Sequence, residues 1–351
     1  MNKISLNELN LDKQSTIFIG ENGGGKSTTL GQLLEYFNSK AKNIIAISNC
    51  LNDKFTLISK NVNYMSVKHG NNSYKNILFD FFSKANADIN QPLSNVLIYC
   101  GYSDIIGIKI TWGTEGLIEK NNYIRTLFEL SKKDNIIWIP LGYSFPYYQY
   151  SSLIKELFSN INHLSKNKIV LSVNFFLEKK DIVIDFEKIS SGEASQISTL
   201  AFISANIDKN SVILIDEPEN SLHPKWQREY INKIVDIFYF YNFNIFISTH
   251  SPLIINETSD VYDVTDFKLT YKSLEDRSIE ALLWNYFNIV TPENEFLSRY
   301  LTNILDEYKF QHMKKEETLS MLHKIKKSCT DKRQQDVIDD LCSMIISGDL
   351  D

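Results

Sequence analysis

The residues Gly20-Glu21-Asn22-Gly23-Gly24-Gly25-Lys26-Ser27-Thr28 follow directly on the apolar run Ile17-Phe18-Ile19. Two glycines bracket four residues, and a Lys-Ser pair comes next, which is the spacing of a P-loop between a strand and a helix. The glycines let the backbone turn tightly and point successive N–H groups at phosphate oxygens. The positive end of the following helix adds to this attraction, so the sequence predicts a phosphate-binding loop.

Within this loop, Lys26 can reach the β- and γ-phosphates of a nucleotide, and the Ser27 hydroxyl can ligate Mg²⁺. A helical repeat of apolar residues begins at Leu30, which predicts a helix over residues 26–38. A glycine-rich turn without a ligand is the alternative, and the preceding strand, full spacing and following helix argue against it. The predicted nucleotide-binding residues here are Gly20, Asn22, Gly23, Gly24, Gly25, Lys26, Ser27 and Thr28.

The composition is that of an ordinary globular protein, since 43% of the 351 residues are hydrophobic and 23% are charged. The sequence has no apolar run of ~20 residues and no apolar leader, so we expect a cytoplasmic protein without a membrane partner. A formal net charge of −6 argues against nucleic-acid binding over the whole surface and leaves a local basic patch open. The four cysteines form no CxxC pair, which favours free thiols.

Apolar periodicity divides the chain into segments. It predicts an N-terminal part with the P-loop over 1–115, a mainly helical insertion ending in a β-hairpin over 116–185, a second part over 186–272 and a helical tail over 273–351. Residues 4–19 are typical of strand structure leading into the P-loop. Further strands are predicted at 43–48, 55–58, 95–99, 107–112, 212–215 and 242–247, and the hairpin pairs 168–176 with 181–186 across residues 177–180.

Two biased segments leave alternatives open. The aromatic stretch 138–150 can stack on bases or pack in a core, and packing is favoured because arginine and lysine are not interleaved. The tail carries a basic cluster that can meet nucleic acid or an acidic partner. Nearby acidic residues balance it, so a solvated helix face is favoured there; its members are Lys324, Lys326, Lys327, Lys332 and Arg333.

A second motif follows the continuous apolar run Val212-Ile213-Leu214-Ile215, which is typical of a central parallel strand. That run ends in Asp216-Glu217-Pro218-Glu219-Asn220-Ser221-Leu222-His223-Pro224. Asp216 can hold the Mg²⁺ shell opposite Ser27, and Glu217 can act as general base on a water in line with the γ-phosphate. Acidic residues often end strands, but downstream of a P-loop this longer motif is strong evidence.

Together these residues resemble the ABC class of ATPases. Ile189-Ser190-Ser191-Gly192-Glu193 matches the signature motif of that class, whose common form is LSGGQ, with glutamate in place of the final glutamine. The resemblance implies that Ser190 and the Gly192 amide contact a γ-phosphate bound to the other protomer. On its own, the same short sequence also suits an ordinary helix cap.

The resemblance assigns two further motifs and leaves one without a match. Glu219-Asn220-Ser221 lies where the class has its D-loop, and His250, in Ser-Thr-His-Ser-Pro after a predicted strand, matches the switch histidine that touches the γ-phosphate. No glutamine lies in the right place for a Q-loop. Asn49 or Asp53 is the candidate to lie near Mg²⁺ or the attacking water in its place.

The motif wording is similar to that of soluble ABC ATPases of the RecF, SMC and overcoming-lysogenization-defect group. The interval between Ser27 and Ser190 is too short for a long coiled coil, and Asp260, Asp263 and Asp266 lack the pattern of a Toprim nuclease. The remaining resemblance is to compact ATPases of anti-phage systems, of the Septu and retron-associated types. Those ATPases are encoded beside a separate nuclease or toxin.

We therefore expect an α/β P-loop ABC ATPase head with an antiparallel β-subdomain, a helical insertion and C-terminal helices. The resemblance implies ATP and Mg²⁺ as ligands and a head-to-tail homodimer, or a higher oligomer, with composite ATP sites. Glu217, His250 and Lys26 are the expected catalytic residues. The expected function is a switch that controls a nuclease or toxin partner; the alternative is a RecF-like DNA-binding repair ATPase, which leaves nucleic acid open as a partner. A transporter subunit is disfavoured by the motif wording.

Overall fold

Two β-sheets and the helices packed on them make up this computed structural model. The structure describes residues 4–50, 54–56, 59–66, 71–84, 87–113, 122–142, 144, 148–220, 222–273, 279–287, 289–290, 295–329 and 331–348. The strands are β1 (Ser15–Ile19), β2 (Ile44–Ser48), β3 (Val62–Ser66), β4 (Ile105–Trp112), β5 (Ile137–Pro140), β6 (Val170–Lys179), β7 (Ile182–Asp185), β8 (Val212–Asp216), β9 (Asn244–Ser248), β10 (Asp260–Thr265) and β11 (Lys268–Lys272). The helices are α1 (Lys26–Ser39), α2 (Asn71–Lys84), α3 (Ala87–Tyr99), α4 (Asn122–Lys133), α5 (Ser151–Ser159), α6 (Ile161–Lys166), α7 (Ser191–Asn206), α8 (Pro224–Ile237), α9 (Ile279–Phe287), α10 (Glu295–Lys309), α11 (Lys315–Ser328) and α12 (Lys332–Ser347).

The larger sheet has the strand order β11-β10-β1-β9-β8-β2-β3, and its neighbours are parallel except for the β10–β11 pair. All five residues of β1, β2 and β8 are buried, which explains their continuous apolar sequences, since helices cover both faces. The register aligns Asp216 with Ser48 on one side and with Ser248 on the other. The carboxyl ends of the central strands therefore lie in one row.

The P-loop helix α1 covers one face of this sheet. Its buried side chains, among them Leu30 and Leu33, share a core with Phe18, Leu214 and Phe246. On the opposite face, α7 and α8 pack into a second and larger core that includes Ile17, Ile47 and Ile215. In α8, the side chains of Tyr230, Ile231 and Ile234 are buried in this core.

The smaller sheet is antiparallel, with the order β5-β4-β6-β7. Its predicted hairpin is present, but the predicted connection at 177–180 is wrong, because β6 continues to Lys179 and only Lys180 and Asp181 form the turn. Both turn residues have positive φ, 52° and 62°, as a tight hairpin turn of this twist requires. A 3₁₀ turn (Phe186–Lys188) then leads from β7 into α7.

The strand predicted at 95–99 is absent, the strand predicted over 4–19 is present only at Ser15–Ile19, and the described part of the prediction over 55–58 is not in a strand. The predicted strand 95–99 is the end of helix α3, in which Leu93, Val96 and Leu97 are buried at helical spacing. A short apolar run does not distinguish a buried strand from a buried helix. Leu6–Glu8 forms a 3₁₀ helix instead of strand, and of the predicted strand 55–58, residues 55 and 56 lie outside any strand while 57 and 58 lie outside the described residues.

The C-terminal helices α9–α12 enclose a core of their own, which contains Trp284, Leu322 and Ile338. Members of the basic cluster have partners there: Lys326 pairs with Asp339, and the Lys324 ammonium lies 5.8 Å from the Trp284 ring. Within the described part of the chain, each helix is too short or too polar to cross a bilayer. All four cysteines are free, as predicted. The α/β class, the antiparallel sheet and the C-terminal helices are thus confirmed.

Candidate nucleotide-binding site

The P-loop connects β1 to α1 through a backbone that only glycine adopts easily. Gly20, Gly23 and Gly25 have φ values of 134°, 82° and 117°. The chain then enters α1 at Lys26, and the Gly25 carbonyl accepts the Thr29 N–H at 2.8 Å as the first helical bond. Asn22 and Gly23 are exposed at the tip of the loop, and Thr28 is half-buried on α1. The predicted loop, including Gly24, is therefore a preformed turn at a helix N-terminus.

Lys26 is folded back over the loop that carries it. Its ammonium donates to the carbonyl oxygens of Gly20 at 2.9 Å and of Glu21 at 3.1 Å, and the residue is 6% exposed. Burial lowers the pKa of Lys26, while nearby carboxylates, Glu217 and Asp216 foremost, act to raise it. A positive charge held among carboxylates beside a helix N-terminus suits the binding of phosphate together with a cation.

Asp216 ends β8 with its carboxylate among three donors. Ser27 Oγ donates to Oδ1 at 3.1 Å, Ser248 Oγ donates to the same oxygen, and Cys50 Sγ donates to Oδ2 at 3.2 Å. Burial raises the pKa of Asp216 and these hydrogen bonds oppose the rise. The register of β8 with β2 and β9 explains why polar side chains from three segments meet here.

The donor set fits Mg²⁺ as the nucleotide's counter-ion. Ser27 and Asp216 offer hard oxygen ligands 3.1 Å apart. The described residues hold no cluster of three or more His, Cys, Asp and Glu side chains able to ligate a metal. Mg²⁺ commonly binds through one or two protein ligands plus substrate phosphates and water, and does not need such a cage. The residues present therefore fit the cation predicted from the sequence.

Glu217 has an unusual backbone and a well-defined side chain. Its φ is 52°, a conformation that is uncommon for residues other than glycine and that clusters at functional sites. Its N–H donates to the Ser248 carbonyl at 3.0 Å. One carboxylate oxygen accepts from Asn220 Nδ2 at 2.8 Å, and the other lies 3.7 Å from His250 Nε2. The turn after β8 thus aims the carboxylate at the histidine.

His250 lies two residues beyond β9. Its main-chain N–H donates to Glu219 Oε1 at 2.5 Å, which attaches the histidine loop to the turn after β8. Burial lowers the pKa of His250, and the Lys26 charge lowers it further, whereas Glu217 acts in the other direction. A neutral imidazole facing the Glu217 carboxylate follows from this balance.

The predicted signature residues are in a different setting. Ser190 is the exposed N-cap of α7, and it forms a complete capping box with Glu193: Ser190 Oγ accepts the Glu193 N–H at 3.2 Å and donates to Oε2 at 2.8 Å. Gly192 is buried in the first turn. The structure therefore brings together Lys26, Ser27, Asp216, Glu217 and His250, and it shows Ser190 as a helix cap.

Several residues of the site were not singled out from the sequence, or were given other roles. Ser248 and Cys50 were missed; the available signal was a polar residue following each apolar strand beside β8. Glu219 and Asn220, assigned to a D-loop, contact His250 and Glu217 within the same chain. Asn49 is 9% exposed, and its Oδ1 has no hydrogen-bond partner among the described residues. Asp53 and Ser221 lie outside the described residues.

The parallel sheet, the P-loop and the acidic end of β8 are those of the P-loop class of nucleotide-binding proteins. Residues 61–256 match the family model described as "AAA domain, putative AbiEii toxin, Type IV TA system", and the chain belongs to this family. The matched region contains the predicted signature residues 189–193 together with Asp216, Glu217 and His250. The resemblance to ABC-like ATPases of anti-phage systems is confirmed at this level.

A curated relative and two solved structures are similar to this chain. The chain is 24% identical over 155 residues to "Retron Ec83 probable ATPase" of Escherichia coli, a match over 39% of this chain and 27% of that protein. An ATP-binding cassette of an ABC transporter in its ADP conformation has a TM-score of 0.31 at 12% identity, covering 79% of this chain and 86% of the other. An SMC head bound to the C-winged helix domain of ScpA has a TM-score of 0.28 at 16% identity, covering 58% and 44%.

Proposed function

We propose that this protein binds ATP with Mg²⁺, hydrolyses it in a head-to-tail dimer, and thereby controls a separate effector protein in anti-phage defence. The observation that carries the proposal is the row of strand ends at which Ser27 meets Asp216 and Glu217 meets His250, at 3.1 Å and 3.7 Å. A phosphate cradle, a cation site and a carboxylate base are thus adjacent. These three features are the minimum that the attack of water on a γ-phosphate requires.

Each residue has a role that its surroundings support. The P-loop N–H groups and Lys26 bind the phosphates, and Ser27 and Asp216 hold the cation. Mg²⁺, when bound, neutralises charge on the phosphate oxygens. Glu217, fixed by Asn220, accepts the proton of the attacking water, and the neutral His250 donates a hydrogen bond at the same side of the site.

Completion of the site by a second copy is supported by the state of the signature residues. Ser190 is exposed at the N-terminus of a 16-residue helix, and its hydroxyl hydrogen bonds with Glu193 of the same helix. A helix N-terminus with an exposed serine is suited to an anion. In the proposed dimer, this end faces the γ-phosphate of the other protomer, so ATP favours the closed dimer and hydrolysis releases it.

The effector is proposed from the family and the curated relative. The family description names a toxin, and the relative is named as the ATPase of a retron. Because the match spans 27% of that relative, its assembly does not transfer as a whole. What supports an effector here is that a dimer switch does no chemistry on a second substrate and needs a protein to act on.

The test combines Glu217→Gln and Lys26→Ala with an exposed control, Glu129→Gln on α4. We expect Glu217→Gln to bind ATP–Mg²⁺, to lose about 1,000-fold in hydrolysis and to accumulate as a dimer in light scattering, because binding persists without the base. Lys26→Ala should lose binding itself. Glu129→Gln should behave as wild type. Wild-type hydrolysis by Glu217→Gln would refute the assignment of the base.

The effector part is tested by the partners that the protein retains. Co-purification with the product of a neighbouring gene, released or tightened by ATP in the Glu217→Gln variant, is the expected result. A DNA affinity that falls steeply with salt and needs no partner protein would instead favour a DNA-repair ATPase. Absence of both would contradict the effector role and leave the ATPase assignment intact.

A further inference from the structure

The turn between β10 and β11 lies against the P-loop. Thr265 pairs with Lys268, so only Asp266 and Phe267 form the turn, and their φ values are 49° and 61°. Turns of this kind strongly prefer Asn-Gly, and a bulky side chain at positive φ is a genuine outlier. The two-residue turn requires positive φ at both positions, as at Lys180 and Asp181, so Phe267 adopts a conformation that is unfavourable for its bulky side chain.

Three P-loop glycines lie against this turn or against Val264, two residues before it. The Phe267 N–H donates to the Gly24 carbonyl at 2.9 Å. A Cβ added at Gly24 would lie 2.3 Å from the Val264 carbonyl oxygen, and one at Gly20 would lie 2.5 Å from the same atom. A Cβ at Gly25 would lie 2.9 Å from the Phe267 ring. The loop thus needs glycine at these positions partly because the turn occupies the space of their side chains.

The Phe267–Gly24 bond also sets the direction of the next amide. The Gly24–Gly25 peptide, like every peptide bond among the described residues, is trans, and in a trans peptide the C=O and the following N–H point in opposite directions. Holding the Gly24 carbonyl toward Phe267 therefore turns the Gly25 N–H away from the hairpin. The Gly25 N–H is one of the amides at the N-terminus of α1, where a P-loop binds phosphate.

We propose that the turn Val264–Phe267 is a clamp that holds the Gly24–Gly25 peptide in its phosphate-binding orientation, and that Phe267 is a positioning residue for nucleotide binding. The Phe267 main chain provides the hydrogen bond, and its ring, which lies next to Gly25 and packs against the core cluster that contains Ile4, keeps the main chain in place. The inference rests on the proposed binding of ATP. It adds a determinant from a hairpin that none of the nucleotide motifs includes.

The experiment compares Phe267→Gly with Phe267→Ala. Both remove the ring and keep the N–H, but only glycine adopts positive φ without strain. Phe267→Gly should therefore have a melting temperature a few degrees higher than that of Phe267→Ala. It should nevertheless bind a fluorescent ATP analogue with Mg²⁺ more weakly than Phe267→Ala does, with an affinity about three- to tenfold below that of wild type. If the role were only structural, affinity would follow stability and the order would be reversed.

Two further measurements complete the test. Hydrogen exchange at the amide of residue 267, which donates the bond to the Gly24 carbonyl, should be faster in both variants when measured without nucleotide, because the clamp acts before ATP binds. Tyr271→Ala on β11 is the matched control: Tyr271 is an aromatic of the same hairpin, it is 56% exposed, and its change should leave affinity as in wild type. Wild-type affinity and exchange in both Phe267 variants would overturn the clamp, whereas a wild-type protein that binds no ATP analogue would overturn the proposed function instead.

Discussion

The two halves of the proposed ATP site differ in how far a single chain builds them. At the P-loop half, Asp216 accepts hydrogen bonds from Ser27, Ser248 and Cys50, and Glu217 is held by Asn220 beside His250. At the signature half, Ser190 is exposed and bonds to Glu193 of its own helix. One half is an interior network, and the other is a helix end at the surface.

Because of this difference, we expect nucleotide binding to depend on the P-loop half and ATP hydrolysis to depend on both halves. In the proposed mechanism, one chain binds nucleotide at the network of the strand ends, because the side chains there are already held by their partners. The exposed helix end contributes little to binding until a phosphate is placed beside it. Changes in the first half should therefore affect a single protomer, and changes at Ser190 should be felt only where two protomers meet.

The largest expected effect comes from Ser190→Arg. A bulky charge at the exposed cap should block closure of the dimer and lower hydrolysis about 1,000-fold, while each protomer still binds ATP with wild-type affinity. Steady-state hydrolysis and fluorescent-nucleotide titration measure the two quantities. Ser165→Arg, at an exposed serine on α6, controls for adding an arginine to the surface.

Mixing variants makes the same test sharper. Ser190→Ala removes the hydroxyl without adding bulk and retains its P-loop, and Lys26→Ala retains its signature cap, so a mixed dimer that can still close has one complete composite site. Mixing these two impaired variants should raise the hydrolysis rate above the sum of their separate rates. A rate equal to that sum, with both variants folded, would show that Ser190 does not act across a dimer.

A smaller effect is expected from His250→Ala. Removing the imidazole that lies 3.7 Å from the Glu217 carboxylate should lower the hydrolysis rate about 100-fold and leave ATP binding unchanged, because P-loop contacts are kept. Single-turnover hydrolysis with saturating ATP isolates the chemical step. An equal loss in binding and turnover would show that His250 supports the fold of the site and has no separate role in the reaction.

Glu219 should have a smaller effect again, through the loop that carries His250. Glu219→Ala leaves the buried His250 N–H without its acceptor, which should lower the hydrolysis rate about tenfold at unchanged nucleotide affinity. Glu219→Gln keeps an oxygen in that position and should restore most of the rate. Failure of the glutamine variant to recover would show that the negative charge, and not the hydrogen bond, is what the site uses.

The sequence could predict the parts of the site that depend on local pattern. Lys26, Ser27, Asp216, Glu217 and His250 each follow an apolar strand, and the parallel register brings those strand ends into one row. Local sequence patterns are sufficient for this prediction, because side chains at aligned strand ends necessarily lie close together.

The other features of the fold and site depend on contacts between segments that are distant in the sequence. Glu219 was assigned to a D-loop at an interface, but it accepts the N–H of His250, 31 residues away. Nothing in the sequence near Phe267 indicates that its turn lies on the P-loop; Asp266-Phe267 is a poor turn sequence, and tertiary packing overrides it. The helix α3 was mistaken for a strand at 95–99 because its apolar run is short and packed on its buried side.

The smallest effect is expected at Glu193, the glutamate that replaces the glutamine of the common signature. Burial acts to raise the pKa of Glu193, but hydrogen bonds from Ser190 and Tyr102 and the charge of Lys179 outweigh it, and the pKa is lowered. A carboxyl whose pKa is lower in the folded state contributes stability above its unfolded pKa and loses it as pH falls through the folded pKa. Glu193→Gln can still form a capping box, so it should cost only about 1 kcal/mol at pH 7, and the difference from wild type should shrink as pH falls from about 5 to 3. Urea denaturation of both proteins across that range measures this. A difference that stays constant with pH would show that the ionisation of Glu193 is not what stabilises this helix end.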